Sequence, residues 1–136
     1  MPLKASQLKV GDVHTARLVD DLTRTQIVQY AGASGDYNPL HTDEIFTTKV
    51  AGYPSVFAHG MLTMGMTGKM LTDYVGDARL TKYGVRFTSQ VFPGDTLDAT
   101  ATVKSVENGV AEFEVKTVNQ NGVEVLSGYA AARVDP

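Results

Sequence analysis

Apolar and polar positions change rhythm once along this chain. In the first half they recur at helical spacing. Ile27, Tyr30, Ala31 and Ser34 fall on one face at i, i+3, i+4 and i+7. Ahead of them, Thr23-Arg24-Thr25-Gln26 reads as a capping box, in which Thr and Gln satisfy orphan backbone N–H groups. Gly35 suits a left-handed stop after the last turn. The pattern predicts a helix from Thr23 to about Ser34. A second helical stretch begins near His59-Gly60 and runs to about Val75. Met61, Leu62, Met64, Met66, Met70, Leu71, Tyr74 and Val75 cover most of its circumference over the first turns. A helix apolar nearly all round is expected inside a core. Gly65 and Gly68 each cost it roughly 1 kcal/mol of propensity against Ala, which points to close packing on the backbone.

From Leu80 onward the period is two. Tyr83, Val85 and Phe87 alternate with Lys82, Gly84, Arg86 and Thr88. After a turn at Pro93-Gly94-Asp95, Leu97, Ala99, Ala101 and Val103 alternate with polar residues. Glu107-Asn108-Gly109 turns the chain again, and Ala111, Phe113 and Val115 carry the next alternation. Asn121-Gly122 is a hairpin signal ahead of a last strand from about Val123 to Val134. A short strand near Val13 to Val19 is expected to join the sheet. One apolar helix and a long antiparallel meander must hide their faces against each other. The expectation is an α+β domain, a sheet wrapped around a central helix.

Composition adds limits to this picture. At 136 residues, 43% hydrophobic and 20% charged, the chain fits one domain spanning 1–136. The net charge is −3, and Lys4, Lys9, Arg17 and Arg24 are scattered, so no basic face for nucleic acid is expected. With no cysteine, disulfides, thiolate catalysis and Cys-based metal sites are excluded. No stretch approaches about 18 consecutive apolar residues. Neither a leader nor a membrane span is expected, and the chain reads as cytoplasmic.

Candidate chemistry concentrates between the two helices, in Ser34-Gly35-Asp36-Tyr37-Asn38-Pro39-Leu40-His41-Thr42-Asp43. Gly35, Asn38 and Pro39 disfavour an extended helix here. A turn at Asn38-Pro39 brings Asp36 and His41 to one cavity. A carboxylate and an imidazole are what acid–base work near neutral pH requires. By spacing alone a bland reading also fits: Asp36 capping the turn after Gly35, and His41 a satisfied, partly buried histidine. His41-Thr42-Asp43 with His59 matches no strong metal signature, and no metal is expected.

The wider context of these residues resembles the MaoC-like dehydratases and (R)-specific enoyl-CoA hydratases. The signature is an aromatic, a small residue, Gly-Asp, any residue, Asn-Pro, an aliphatic residue and His. Tyr30 through Gly35-Asp36-Tyr37-Asn38-Pro39-Leu40-His41 follows it, and the match extends through Asp43 and Phe46. Phe57-Ala58-His59-Gly60-Met61-Leu62-Thr63-Met64-Gly65 is similar to the start of the family's central helix. Val85-Arg86-Phe87-Thr88 and Pro93-Gly94-Asp95-Thr96-Leu97 are similar to its later strand and turn. The blocks stand in family order and cover most of the chain. They are most similar to the small single-domain members, including the catalytic-subunit type of mycobacterial fatty-acid-elongation dehydratases. Thr47 departs from the Ala or Ser often found at its position, and is read as a packing residue.

The resemblance implies the hot dog fold and no cofactor. It implies reversible addition of water to a trans-2-enoyl thioester, giving a (3R)-hydroxyacyl thioester. The substrate would be carried on coenzyme A or acyl carrier protein. Asp36 and His41 would hold water and move protons. The Gly60 N–H, at the helix start, would meet the charge developing on the thioester oxygen. Asn38 is read as shaping the loop, with contact to the thioester as the alternative. His59 is a candidate pocket residue and Arg86 a candidate phosphate partner. The expected partner is a second hot dog subunit, in a homodimer or a heterodimer. Two competing functions are a hot dog acyl thioesterase and a non-catalytic partner subunit.

Overall fold

A computed structural model describes residues 2–136. Strand β1 spans Val13–Val19. Helix α1 spans Arg24–Ser34, and a single helical turn, α2, spans Pro39–Thr42. The long helix α3 spans Gly60–Val75. Four strands follow: β2 Leu80–Phe87, β3 Leu97–Glu107, β4 Val110–Val118 and β5 Glu124–Arg133. They form one antiparallel sheet in the order β1-β3-β4-β5-β2.

The alternation in β3 and β4 decides which sheet face is covered. Ala99, Ala101, Val103, Ala111, Phe113 and Val115 are all buried, and they pack with Met70, Leu71 and Val75 of α3. Small residues on the strands let the sheet curl closely around the helix. Two polar bonds fix the helix on the sheet. The Thr67 and Thr117 hydroxyls pair at 2.7 Å, fully buried, and Tyr83 donates its phenol to the Met64 carbonyl at 2.7 Å. A second, smaller core of Leu22, Ile27, Ala58, Val91, Leu97 and Val125 lies under α1, and Leu62 and Met66 reach it from α3.

The helix starts and stops follow the sequence closely. Thr23 and Gln26 form the reciprocal capping box, and Gly35 ends α1 at φ 76°. Two expectations need correction. α3 is not buried all round: Met61, Gly65, Lys69 and Asp73 form an exposed stripe at fourfold spacing, with Lys69 and Asp73 paired at 2.6 Å. One sheet covers one side of the helix, and the other side stays open in the isolated chain. The two helix glycines also differ. A β-carbon on Gly68 would stand 3.2 Å from the Tyr83 ring, whereas one on Gly65 would meet nothing.

Candidate active site

The segment from Gly35 to Ser55 is more ordered than its glycines and proline suggest. Asn38 accepts from the Leu40 N–H at 3.0 Å and caps α2, with Pro39 at the first helical position, where no N–H is needed. His41 therefore sits on a helical turn rather than in an irregular loop. A π-helical turn, Phe46–Val50, follows. Thr47 is fully buried, and its hydroxyl lies 2.7 Å from the Asp43 carbonyl and 2.9 Å from that of Pro39. It braces the turn that carries His41. Glu44 pairs with Arg24 of α1 at 2.6 Å and also accepts from the Val56 N–H at 3.2 Å. This fastens the segment to α1 on one side and to the approach of α3 on the other.

Asp36, His41 and His59 come together. One side-chain ligand atom from each lies within 4.8 Å of the others. His41 Nδ1 is 2.6 Å from the Phe57 carbonyl. A carbonyl only accepts, so Nδ1 carries the proton and Nε2 keeps its lone pair. Burial pushes the His41 imidazolium pKa below its ordinary 6.5, with His59 acting in the same direction; the Phe57 carbonyl and Asp36 pull the other way. The result is a ring held neutral with one basic nitrogen free.

His59 is 2% exposed and directs Nε2 at the Asp36 carbonyl, 3.0 Å away. By the same logic Nε2 carries its proton. The two imidazoles stack at 3.9 Å with planes 25° apart.

Gly60 opens α3 directly after His59. The His59 side chain makes no cap bond to the helix. The first N–H groups of a helix have no intrahelical acceptor, so they are free to receive negative charge. Gly60 lines a cleft of about 260 Å³ together with Phe57, Thr63, Phe87, Gln90 and Val91. The Phe87 ring lies so close that a β-carbon on Gly60 would stand 2.9 Å from it. A side chain here would force the half-exposed Phe87 ring to shift.

Other sequence candidates fall elsewhere. Asn38 is committed to its cap through Oδ1. Arg86 does not join the cluster. On β2, Tyr83 and Phe87 turn toward α3, so Arg86 points from the opposite face, beside Ser127, Gly128 and Tyr129. Sequence reading missed the Phe57 carbonyl and the bracing roles of Thr47 and Glu44. A carbonyl acceptor leaves no mark on residue type. Thr47 alone gave a signal, as a hydroxyl at a packing position.

Comparison with known proteins gives a consistent result. The family described as MaoC like domain matches residues 6–125. The 3-hydroxyacyl-thioester dehydratase Y of Mycobacterium tuberculosis is 36% identical over 116 residues, covering 83% of this chain and 39% of that protein. The chain thus spans about two-fifths of that relative's length. The mitochondrial 3-hydroxyacyl-[acyl-carrier-protein] dehydratase of Arabidopsis thaliana is 32% identical over 130 residues, covering 92% and 76%. Among solved structures, the unliganded R-hydratase PhaJ1 of Pseudomonas aeruginosa has a TM-score of 0.84 at 23% identity, covering 98% and 86%. This last likeness establishes the wrapped-helix, hot dog fold.

Proposed function

The chain belongs to the MaoC-like dehydratase family, and on that premise we propose that it reversibly hydrates trans-2-enoyl thioesters to (3R)-hydroxyacyl thioesters. The observation that carries the reading is the free Nε2 of a neutral His41 beside the Asp36 carboxylate, next to the open N-terminus of α3. Water is oriented by Asp36 and gives a proton to His41 Nε2. Its oxygen bonds to C3, and the C2–C3 pair moves into the thioester as an enolate. The Gly60 N–H meets the charged oxygen, aided by the positive end of α3. The enolate then collapses and takes a proton at C2 from the His41 imidazolium. Atoms and charge balance, and the site returns to its starting state. Run backwards, the same steps dehydrate the hydroxyacyl thioester.

Apolar surface flanks these groups: Tyr37 is 65% exposed beside Asp36, Met61 57% beside Gly60, and Phe87 49% over the cleft. Such surface suits an acyl chain or a second subunit that closes over the site. The carrier is read as coenzyme A or acyl carrier protein, and the assembly as a pair of hot dog subunits. β2 leaves one sheet edge unpaired, which is where a second sheet would add.

The test is an assay with crotonyl-CoA that follows loss of the conjugated absorbance against release of free thiol. Asp36→Asn and His41→Ala should each reduce hydration by roughly 10²-fold or more, the scale of positioned acid–base groups. If both variants fold and keep wild-type turnover, the mechanism is wrong. Release of thiol without loss of the alkene would instead make the protein a thioesterase.

A further inference from the structure

Asp36 stands on a short bridge with no regular element beneath it. α1 ends at Ser34, and α2 begins at Pro39. Two local bonds shape the bridge. The Asp36 N–H donates to Ser34 Oγ at 3.1 Å, and the Asn38 N–H donates to Asp36 Oδ1 at 3.2 Å. Bonds spanning two residues set the curvature of a turn but not where the turn sits against the rest of the protein. The long-range bond made directly to the bridge comes from 23 residues away: His59 Nε2–H to the Asp36 carbonyl, at 3.0 Å.

His59 is well placed to fix position. It is 2% exposed, its backbone is locked as the residue that opens α3, and the edge of the Tyr30 ring lies against it at 4.8 Å. Its ring also stacks on His41 at 3.9 Å. His41 is in turn fixed in its own plane by the bond to the Phe57 carbonyl. A single buried ring thus touches the main chain of one member of the pair and the ring face of the other. Burial gives His59 contacts to Asp36 and His41 rather than to solvent.

We propose that His59 is a positioning residue for the acid–base pair: its Nε2–H anchors the Asp36 main chain while its ring serves as the platform on which His41 stacks. The kinetic part of this proposal rests on the hydratase reading. The anchoring part does not. It requires His41 and His59 to hold opposite tautomers, Nδ1–H in His41 and Nε2–H in His59. It also requires an N–H at the Nε2 position, which Gln can supply and Leu cannot.

The experiment compares wild type, His59→Gln and His59→Leu in the intact chain. Displacing a reacting group by about 1 Å can cost roughly 10²-fold in rate. His59→Leu should therefore lose roughly 10- to 100-fold in kcat with KM changed less than about twofold. His59→Gln should recover most of that loss. Hydrogen exchange at the Asp36, Tyr37 and Asn38 amides supplies a readout that needs no substrate: it should accelerate in His59→Leu and stay near wild type in His59→Gln. Wild-type kcat in a folded His59→Leu overturns the proposal. So does a His59→Gln variant that falls as far as His59→Leu, since the imidazole would then take part in the reaction itself. If wild type shows no hydration at all, the functional reading fails instead. Exchange at residues 36–38 then decides the anchor alone, and equal rates in all three proteins overturn it.

Discussion

At the scale of the residue, one bond from His41 decides which ring nitrogen stays open. With Nδ1–H held by the Phe57 carbonyl, only Nε2 is left to accept a proton. Burial pushes this group's pKa down, so the neutral form persists below the ordinary histidine value of 6.5. The acid limb of kcat/KM, measured against pH, should therefore lie below 6.5, and a limb above it would show that the ring is not held neutral. The same shift acts on stability. The unfolded chain takes up a proton on His41 before the folded one does. Stability is therefore full above 6.5 and declines as pH falls from there toward the lower folded value. His14, also pushed down by burial, adds to this in the same direction. A denaturant midpoint that fell between pH 7 and pH 5 would agree. Asp36, His41 and Gly60 stood out as candidates in the sequence because their residue types suit acid–base work and a helix entry, and the structure brings Asp36 and His41 together. That Arg86 stands on the other sheet face was not legible, because type alone does not say which face a strand residue occupies.

At the scale of the element, α3 shows what helical patterning reveals and what it omits. Its start, its end and its role as the wrapped helix followed from residues 59–76. Its exposed stripe did not, because an amphipathic count treats Met61 as apolar and Thr63 and Thr67 as polar. Here the threonines are buried and Met61 is 57% exposed. The two glycines separate the causes experimentally. Gly65→Ala should raise stability by roughly 0.5–1 kcal/mol, since the β-carbon meets nothing and the helix gains propensity. Gly68→Ala should give no such gain, because the Tyr83 ring 3.2 Å away is held by its bond to the Met64 carbonyl. Tyr83→Phe removes that bond and should cost about 1 kcal/mol in thermal or denaturant unfolding. It should also free the ring to yield, so that Gly68→Ala is better tolerated in the double variant.

At the scale of the molecule, the sheet ends at β2 in an unpaired edge, with Phe87 and Tyr129 half exposed near it. Association through this edge predicts a mass of twice 14.6 kDa by light scattering of the purified chain. A monomer under those conditions would point to a different hot dog chain as the partner. The sequence by itself determined the wrapped-helix fold and the helix caps at Thr23 and Gly35, and it marked Asp36, His41 and Gly60 as candidates. These are local matters: periodicity decides which face is buried, and residue type decides which atoms can cap, donate or accept. Only the tertiary structure decided that His59 is buried between Asp36 and His41, that the Phe57 carbonyl sets the His41 tautomer, and that Arg86 faces away. Those outcomes depend on how segments far apart in the chain meet. The partners joined by the His59–Asp36 bond lie 23 residues apart, and no spacing rule along the sequence encodes the rotation that brings them within 3.0 Å.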